Sequence, residues 1–143
     1  MGSDPKSPTV LYVEDEESDL LFMQVAFRNA GISHALQAVD NGRDAMDYLS
    51  GNGKFANRQE HPLPAMVLLD LNLPVVSGFE VLEWLRRSSS FPDLPVVVFS
   101  SSSREEDKAK ASELGATDYV EKPGSGLHFG KVVERIKARW LNA

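Results

Sequence analysis

"MVLLDLNLP" spans residues 66–74. An apolar run of strand length stops at Asp70, and Leu71 and Leu73 then flank Asn72. An acid at the end of an apolar run costs free energy unless something binds it. Asp70 is therefore either a helix or turn cap, or the place where a ligand or cation sits.

Working outward, "TVLYV" (9–13), "PVVVFS" (95–100) and "DYVEK" (118–122) have the same length and mostly consecutive apolar residues, while "HALQAV" (34–39) alternates more. Consecutive apolar residues suit strands covered on both faces, as in a parallel sheet. Helical segments lie between them. Leu20, Met23 and Phe27 form one stripe, with Gly31 as a stop. Asn41 can cap a helix running to about Leu49, with Gly51 beyond. Gly78 opens a helix carrying Phe79, Val81, Leu82 and Leu85. Ser103 and Glu106 make a capping box for a polar helix ending at Gly115. The last helix carries Phe129, Val132, Val133, Ile136 and Trp140 on one face. Strand and helix alternate five times, which gives a doubly wound α/β domain with right-handed crossovers. Residues 51–64, "GNGKFANRQEHPLP", are long for a helix-to-strand loop. That stretch is open between an inert excursion and a contact with a partner or second copy.

The 143 residues suit one domain, and 42% apolar with 25% charged residues reads as globular. A net charge of -6 argues against nucleic acid as a partner. The absence of cysteine excludes disulfides, thiolate chemistry and cysteine-type zinc sites, and fits a cytoplasmic setting. No apolar run reaches the roughly 20 residues of a membrane span. Residues 1–8, "MGSDPKSP", read as a native tail or a cloning remnant outside the fold, which leaves 9–143 as the domain.

Parallel sheets of this kind bind ligands beyond the carboxyl ends of their strands. Glu14 and Asp15 lie just past the first strand, and the third, fourth and fifth strands end at Asp70, Ser100 and Lys122. Carboxylates about 4 Å apart repel by about 4 kcal/mol at an effective dielectric of 20, so either a pKa rises or a cation enters. An oxygen-only donor set with few ligands favours Mg²⁺. Mg²⁺, a lysine and a hydroxyl facing an aspartate suggest phosphoryl transfer, with the aspartate as nucleophile. Glu16 and Glu17 read as solvated surface. His34, His61 and His128 read as structural or exposed, and Trp84 and Trp140 as helix packing.

"YVEDEESD", "LLDLNLPVVSGFEVL", "PVVVFSSSS" and "GATDYVEKP" resemble the receiver domain of two-component response regulators from about Val10 to Trp140. The resemblance implies a flavodoxin-like (βα)5 sheet of order 2-1-3-4-5. It implies Asp70 as phosphoacceptor, with Ser100 and Lys122 contacting the phosphoryl group. Metal binding would fall to Glu14, Asp15, Asp70 and the backbone carbonyl of Asn72. Ser100 and Tyr119 would be the switch pair, and the Lys122–Pro123 bond would be cis. The implied function is a signalling switch and not an enzyme beyond its own phosphotransfer and dephosphorylation. Its phosphoryl donor would be a sensor histidine kinase or phosphotransfer protein. Output would pass to a downstream protein target by contact if the natural chain also ends here, without a DNA-binding domain; a homodimer is allowed. Three features depart from the usual pattern: Glu14 for the commoner Asp, Ser100 for Thr, and Gly124 after Pro123. The 51–64 loop and the "RWLNA" ending look like single-domain regulators of the cyanobacterial phytochrome type. Two rivals stand beside this reading. An aspartyl-nucleophile phosphatase is disfavoured by Asn72, which stands where a second Asp would act. A receiver-like adaptor that is never phosphorylated is disfavoured by the intact acids and Lys122. A flavin carrier is weaker still, because the first turn holds acids instead of a phosphate cradle.

Overall fold

The computed structural model describes residues 8–88 and 90–141. The tail expected at residues 1–8 lies outside them except for Pro8, whose carbonyl accepts a hydrogen bond from Ala35 N at 3.0 Å.

The strands are β1 (Thr9–Val13), β2 (Ala35–Val39), β3 (Met66–Leu69), β4 (Val96–Ser100) and β5 (Asp118–Glu121). They pair in parallel in the order 2-1-3-4-5. Helices α1 (Glu17–Asn29), α2 (Gly42–Ser50), α3 (Gly78–Arg87), α4 (Glu105–Glu113) and α5 (Phe129–Trp140) supply the crossovers. Among the described residues no helix is long and apolar enough to cross a membrane.

Side chains alternate across a strand, so each central strand feeds two cores. Leu11, Val13, Val67, Leu69, Val96 and Val98 pack with Tyr48, Leu49, Val81, Leu82, Leu85 and Ala111 from α2, α3 and α4. Val10, Tyr12, Met66, Leu68, Val97 and Phe99 pack with Met23, Phe27, Phe129, Val133 and Ile136 from α1 and α5. This explains why β1, β3 and β4 are apolar without alternation: every residue in them is buried. The edge strands β2 and β5 are partly exposed, and their sequences are correspondingly more polar.

The expected cap of α2 holds, and Ser77 caps α3 as well. Asn41 Oδ1 accepts from Asp44 N at 2.8 Å, and Ser77 Oγ accepts from Glu80 N at 3.2 Å. The expected cap of α4 does not hold. Arg104 occupies the N-cap without a side-chain bond, and the helix starts one residue later than Ser103 would set it. The hydroxyl that organises this turn is Ser102, which accepts from Arg104 N at 3.2 Å.

The 51–64 stretch folds back against the end of α2. A 3-10 turn at Gly53–Phe55 buries Phe55. Arg58 then closes the end of α2, donating to the carbonyls of Tyr48 at 2.7 Å, Leu49 at 2.8 Å and His61 at 3.0 Å. Helix ends leave such carbonyls without partners, so Arg58 does the work of a C-terminal cap.

Candidate functional site

Register builds the site. Val13 of β1 stands opposite Leu69 of β3, so the next residues along, Glu14 and Asp70, emerge side by side. Asp70 N donates to Val13 O at 3.2 Å and holds the two strand ends together. Ser100 stands opposite Glu121, and Lys122 N donates to Ser100 O at 2.8 Å, so Lys122 leaves β5 at the same edge. Both β3 and β5 end one residue before the side chain of interest.

Glycine at position 78 is a condition of this geometry. A Cβ there would lie 2.1 Å from the carbonyl oxygen of Asp70 and 2.7 Å from Leu71 Cα. Only glycine lets the start of α3 rest on the backbone beside Asp70. The connecting loop carries one strained residue, Val75, at φ 70, with Val76 N donating to Pro74 O at 2.8 Å across it. A β-branched residue rarely adopts a positive φ.

Lys122 Nζ has three protons to donate and three carboxylates to receive them. Glu14 Oε1 lies at 2.7 Å, Asp19 Oδ2 at 2.8 Å and Asp70 Oδ2 at 3.2 Å. Glu14 and Asp70 are only 2% and 4% exposed, so these ions are largely out of water. Glu14 Oε1 also accepts from Tyr12 OH at 3.0 Å, and Oε2 from Glu16 N at 3.2 Å. Asp70 Oδ1 receives the Asn72 N–H at 3.4 Å. Asp15 is exposed beside them.

Burial pushes the Glu14 carboxyl up to about 7; hydrogen bonding to Lys122 opposes that rise and the charge of Asp70 adds to it. Burial works against the Lys122 ammonium, but hydrogen bonds to Asp19 and Glu14 and the charges of Asp70 and Glu14 outweigh it. The net effect holds Lys122 above the ordinary lysine range. Burial, then the neighbouring Glu14, keeps the Tyr12 phenol neutral far above its usual range.

Glu14, Asp15, Asp19 and Asp70 thus set four carboxylates against one ammonium. Glu14, Asp15 and Asp70 each offer an oxygen, and these oxygens lie within 4.8 Å of one another. Close, hard, anionic donors with one exposed member fit a divalent cation that keeps part of its water shell. A cleft of about 330 Å³ opens next to Glu14, lined also by Leu20, Val39, Asp40 and Asp44. The 51–64 loop brings Lys54 to its rim, 3.3 Å from Asp44.

All seven residues singled out in the sequence, Asn72 among them for its backbone carbonyl, lie at this end of the sheet or on the strands leading to it. Ser100 is fully buried, with its Oγ accepting from Ser102 N at 3.1 Å. Tyr119 is half-buried on β5, and its hydroxyl donates to Ser102 O at 2.8 Å. Sequence reasoning missed Asp19 and Tyr12. Asp19 belongs to the first turn of α1, which starts just past the β1 tip, so its side chain can reach the same edge. Tyr12 precedes Glu14 by two and so points to the same face. One expectation fails: no described peptide bond is cis, so Lys122–Pro123 is trans. Trans is the lower-energy state of an X–Pro bond by about 0.5–1 kcal/mol, and Lys122 reaches its three carboxylates from it.

Residues 10–134 match the model of the response regulator receiver domain. The response regulator Rcp1 of Synechocystis is 33% identical over 97% of this chain and 94% of its own. A probable methanogenesis regulatory protein, FilR2 of Methanothrix harundinacea, is 36% identical over 92% of this chain and 83% of its own. The crystal structure of the phosphorylated cyanobacterial phytochrome response regulator RcpA superposes with a TM-score of 0.88, at 32% identity and 95% coverage of both chains. The Mn²⁺-bound form of Rcp1 superposes with a TM-score of 0.85, at 32% identity and 97% and 96% coverage. On its strand order, its acid-lined sheet edge and these likenesses, the chain belongs to the family of response regulator receiver domains.

Proposed function

We propose that this chain is a switch set by phosphorylation of Asp70, with phosphohistidine of a sensor kinase or phosphotransfer protein as the donor. A carboxylate oxygen of Asp70 attacks phosphorus in line. The P–N bond breaks, its electron pair returns to the imidazole, which takes up a proton, and an acyl phosphate forms on Asp70. Glu14, Asp15, Asp70 and the Asn72 carbonyl would hold Mg²⁺, which when bound neutralises charge on the phosphoryl oxygens. Lys122 shifts its hydrogen bonds from the acids toward the new group. Ser100 donates its hydroxyl to another phosphoryl oxygen. The observation that carries this reading is the Lys122 ammonium bridging Asp70 and Glu14 at 3.2 and 2.7 Å within a cluster of excess carboxylates.

The added charge, about -1.5 to -2 at pH 7, biases an existing equilibrium and creates no new fold. The element to move is α4, which buries only Ala111. Few buried contacts mean a low cost of local rearrangement. Tyr119 lies between α4 and the β4 end, so α4, β5 and α5 are the proposed output surface toward a downstream protein. The cytoplasm is the proposed compartment, and nucleic acid is not a proposed partner.

The test is incubation with Mg²⁺ and acetyl phosphate followed by intact mass. The native chain is expected to gain one phosphoryl group, and Asp70→Asn none. A modified Asp70→Asn chain, or an unmodified native chain with Mg²⁺ bound, would overturn the proposal.

A further inference from the structure

The two residues assigned to the switch, Ser100 and Tyr119, both bond to a third residue. Ser102 N donates to Ser100 Oγ at 3.1 Å, and Ser102 O accepts from Tyr119 OH at 2.8 Å. One residue therefore holds the hydroxyl at the site with its N–H and the aromatic on β5 with its carbonyl. Its side chain is engaged as well. Ser102 Oγ accepts from Arg104 N at 3.2 Å and donates to Asp107 Oδ2 at 2.6 Å. That last distance is typical of a hydroxyl on an ionised carboxylate, among the stronger hydrogen bonds a protein makes. Asp107 belongs to the first turn of α4 and is half-buried.

We propose that Asp107 is a positioning residue: through the hydroxyl of Ser102 it fixes the β4–α4 turn, and with it both Ser100 and Tyr119. Because Ser100 Oγ already accepts from Ser102 N, its own proton is left to donate toward the phosphoryl site. The bond from Asp107 keeps the turn in the conformation that does this. The same bond ties α4 to the turn, so any displacement of Ser100 reaches α4 through Ser102 and Asp107 without passing through the sheet. The effect on phosphoryl uptake rests on the phosphoacceptor role proposed for Asp70; the effect on Tyr119 does not.

The experiment compares the native chain with Asp107→Ala, Asp107→Asn, Ser102→Ala and Glu105→Gln. It reads phosphoryl uptake from acetyl phosphate by mass, and the Tyr119 ring by NMR of ring-labelled tyrosine. Asn keeps an acceptor oxygen for the Ser102 hydroxyl but removes the charge from the start of α4. Glu105→Gln removes a first-turn charge that pairs with Lys108 at 3.6 Å, and Lys108 keeps its shorter bond to Glu121 at 2.7 Å. Asp107→Ala and Ser102→Ala should shift the Tyr119 ring signal and slow uptake roughly tenfold, the size of one hydrogen bond to a charged group. Asp107→Asn, which keeps a weaker, uncharged bond, should fall between native and Asp107→Ala, and Glu105→Gln should stay near native in both readouts. The proposal is overturned if Asp107→Asn changes as much as Asp107→Ala, since the effect would then be helix charge, or if Asp107→Ala leaves the ring signal in place. Should the native chain take up no phosphoryl group, the role of Asp70 falls, and the ring signals still decide for or against the turn.

Discussion

Glu14 shares the Lys122 ammonium with Asp19 and Asp70, and this crowding fixes how its charge responds to pH. In the metal-free chain its proton is held up to about 7, against 4.5 for the free side chain, because burial disfavours the carboxylate. Between those values the folded state binds more protons than the unfolded one, so this group's contribution to stability falls as pH rises and is flat above. That is the reverse of a salt-bridged acid with a depressed pKa. Denaturation in EDTA at about pH 5 and about pH 8 should show the fall in the native chain, and Glu14→Gln should flatten it. An unchanged slope in Glu14→Gln would place the proton elsewhere. At this scale the sequence announced Asp70, Glu14, Asp15, Ser100 and Lys122, because each ends or follows a strand and all strands point one way. It did not announce Asp19, which reaches the edge from a helix, where no strand-end rule applies. Nor did it separate Ser102 from Ser103, since in a run of four serines only the backbone path decides which hydroxyl turns inward.

Among the elements, α3 has the tightest seat. Its first residue, Gly78, lies against the carbonyl of Asp70, so the helix start and the acid share one position. Gly78→Ala should destabilise the fold by about 1–3 kcal/mol, the usual result of forcing one methyl into a filled space. Because the methyl meets Asp70 and Leu71, phosphoryl uptake should fall more than stability alone explains. Denaturant midpoint and uptake rate, measured on the folded variant, check both. A variant with native midpoint and native uptake would mean that α3 can shift freely. The cap at Asn41 was legible as a side-chain type at a known offset. The folding of 51–64 was not, because Arg58 closes α2 through the carbonyls of Tyr48 and Leu49, and a lone arginine in a polar loop carries no such signal.

For the molecule as a whole, the parallel order 2-1-3-4-5 gathers carboxylates on one edge while two apolar cores cover the faces. The fold was readable because β1, β3 and β4 have no polar face to hide. Such an edge is costly when empty of cations, so a divalent ion should stabilise the entire domain. Binding to the folded state alone adds about 2.7 kcal/mol at a ligand concentration 100 times Kd. Mg²⁺ should therefore raise the Tm by several degrees, EDTA should reverse the rise, and Asp15→Asn should lose most of it. An equal rise in Asp15→Asn would put the ion elsewhere. The central claim is narrower than stability: one carboxylate, Asp70, becomes an acyl phosphate. Borohydride reduces an acyl phosphate to an alcohol, so treatment of the phosphorylated native chain followed by peptide mapping reads the site directly. The reduced side chain is expected at Asp70, within the peptide that contains residues 66–74. Reduction at Asp15 or Asp19, or a phosphorylated chain with no reduced aspartate, would contradict it.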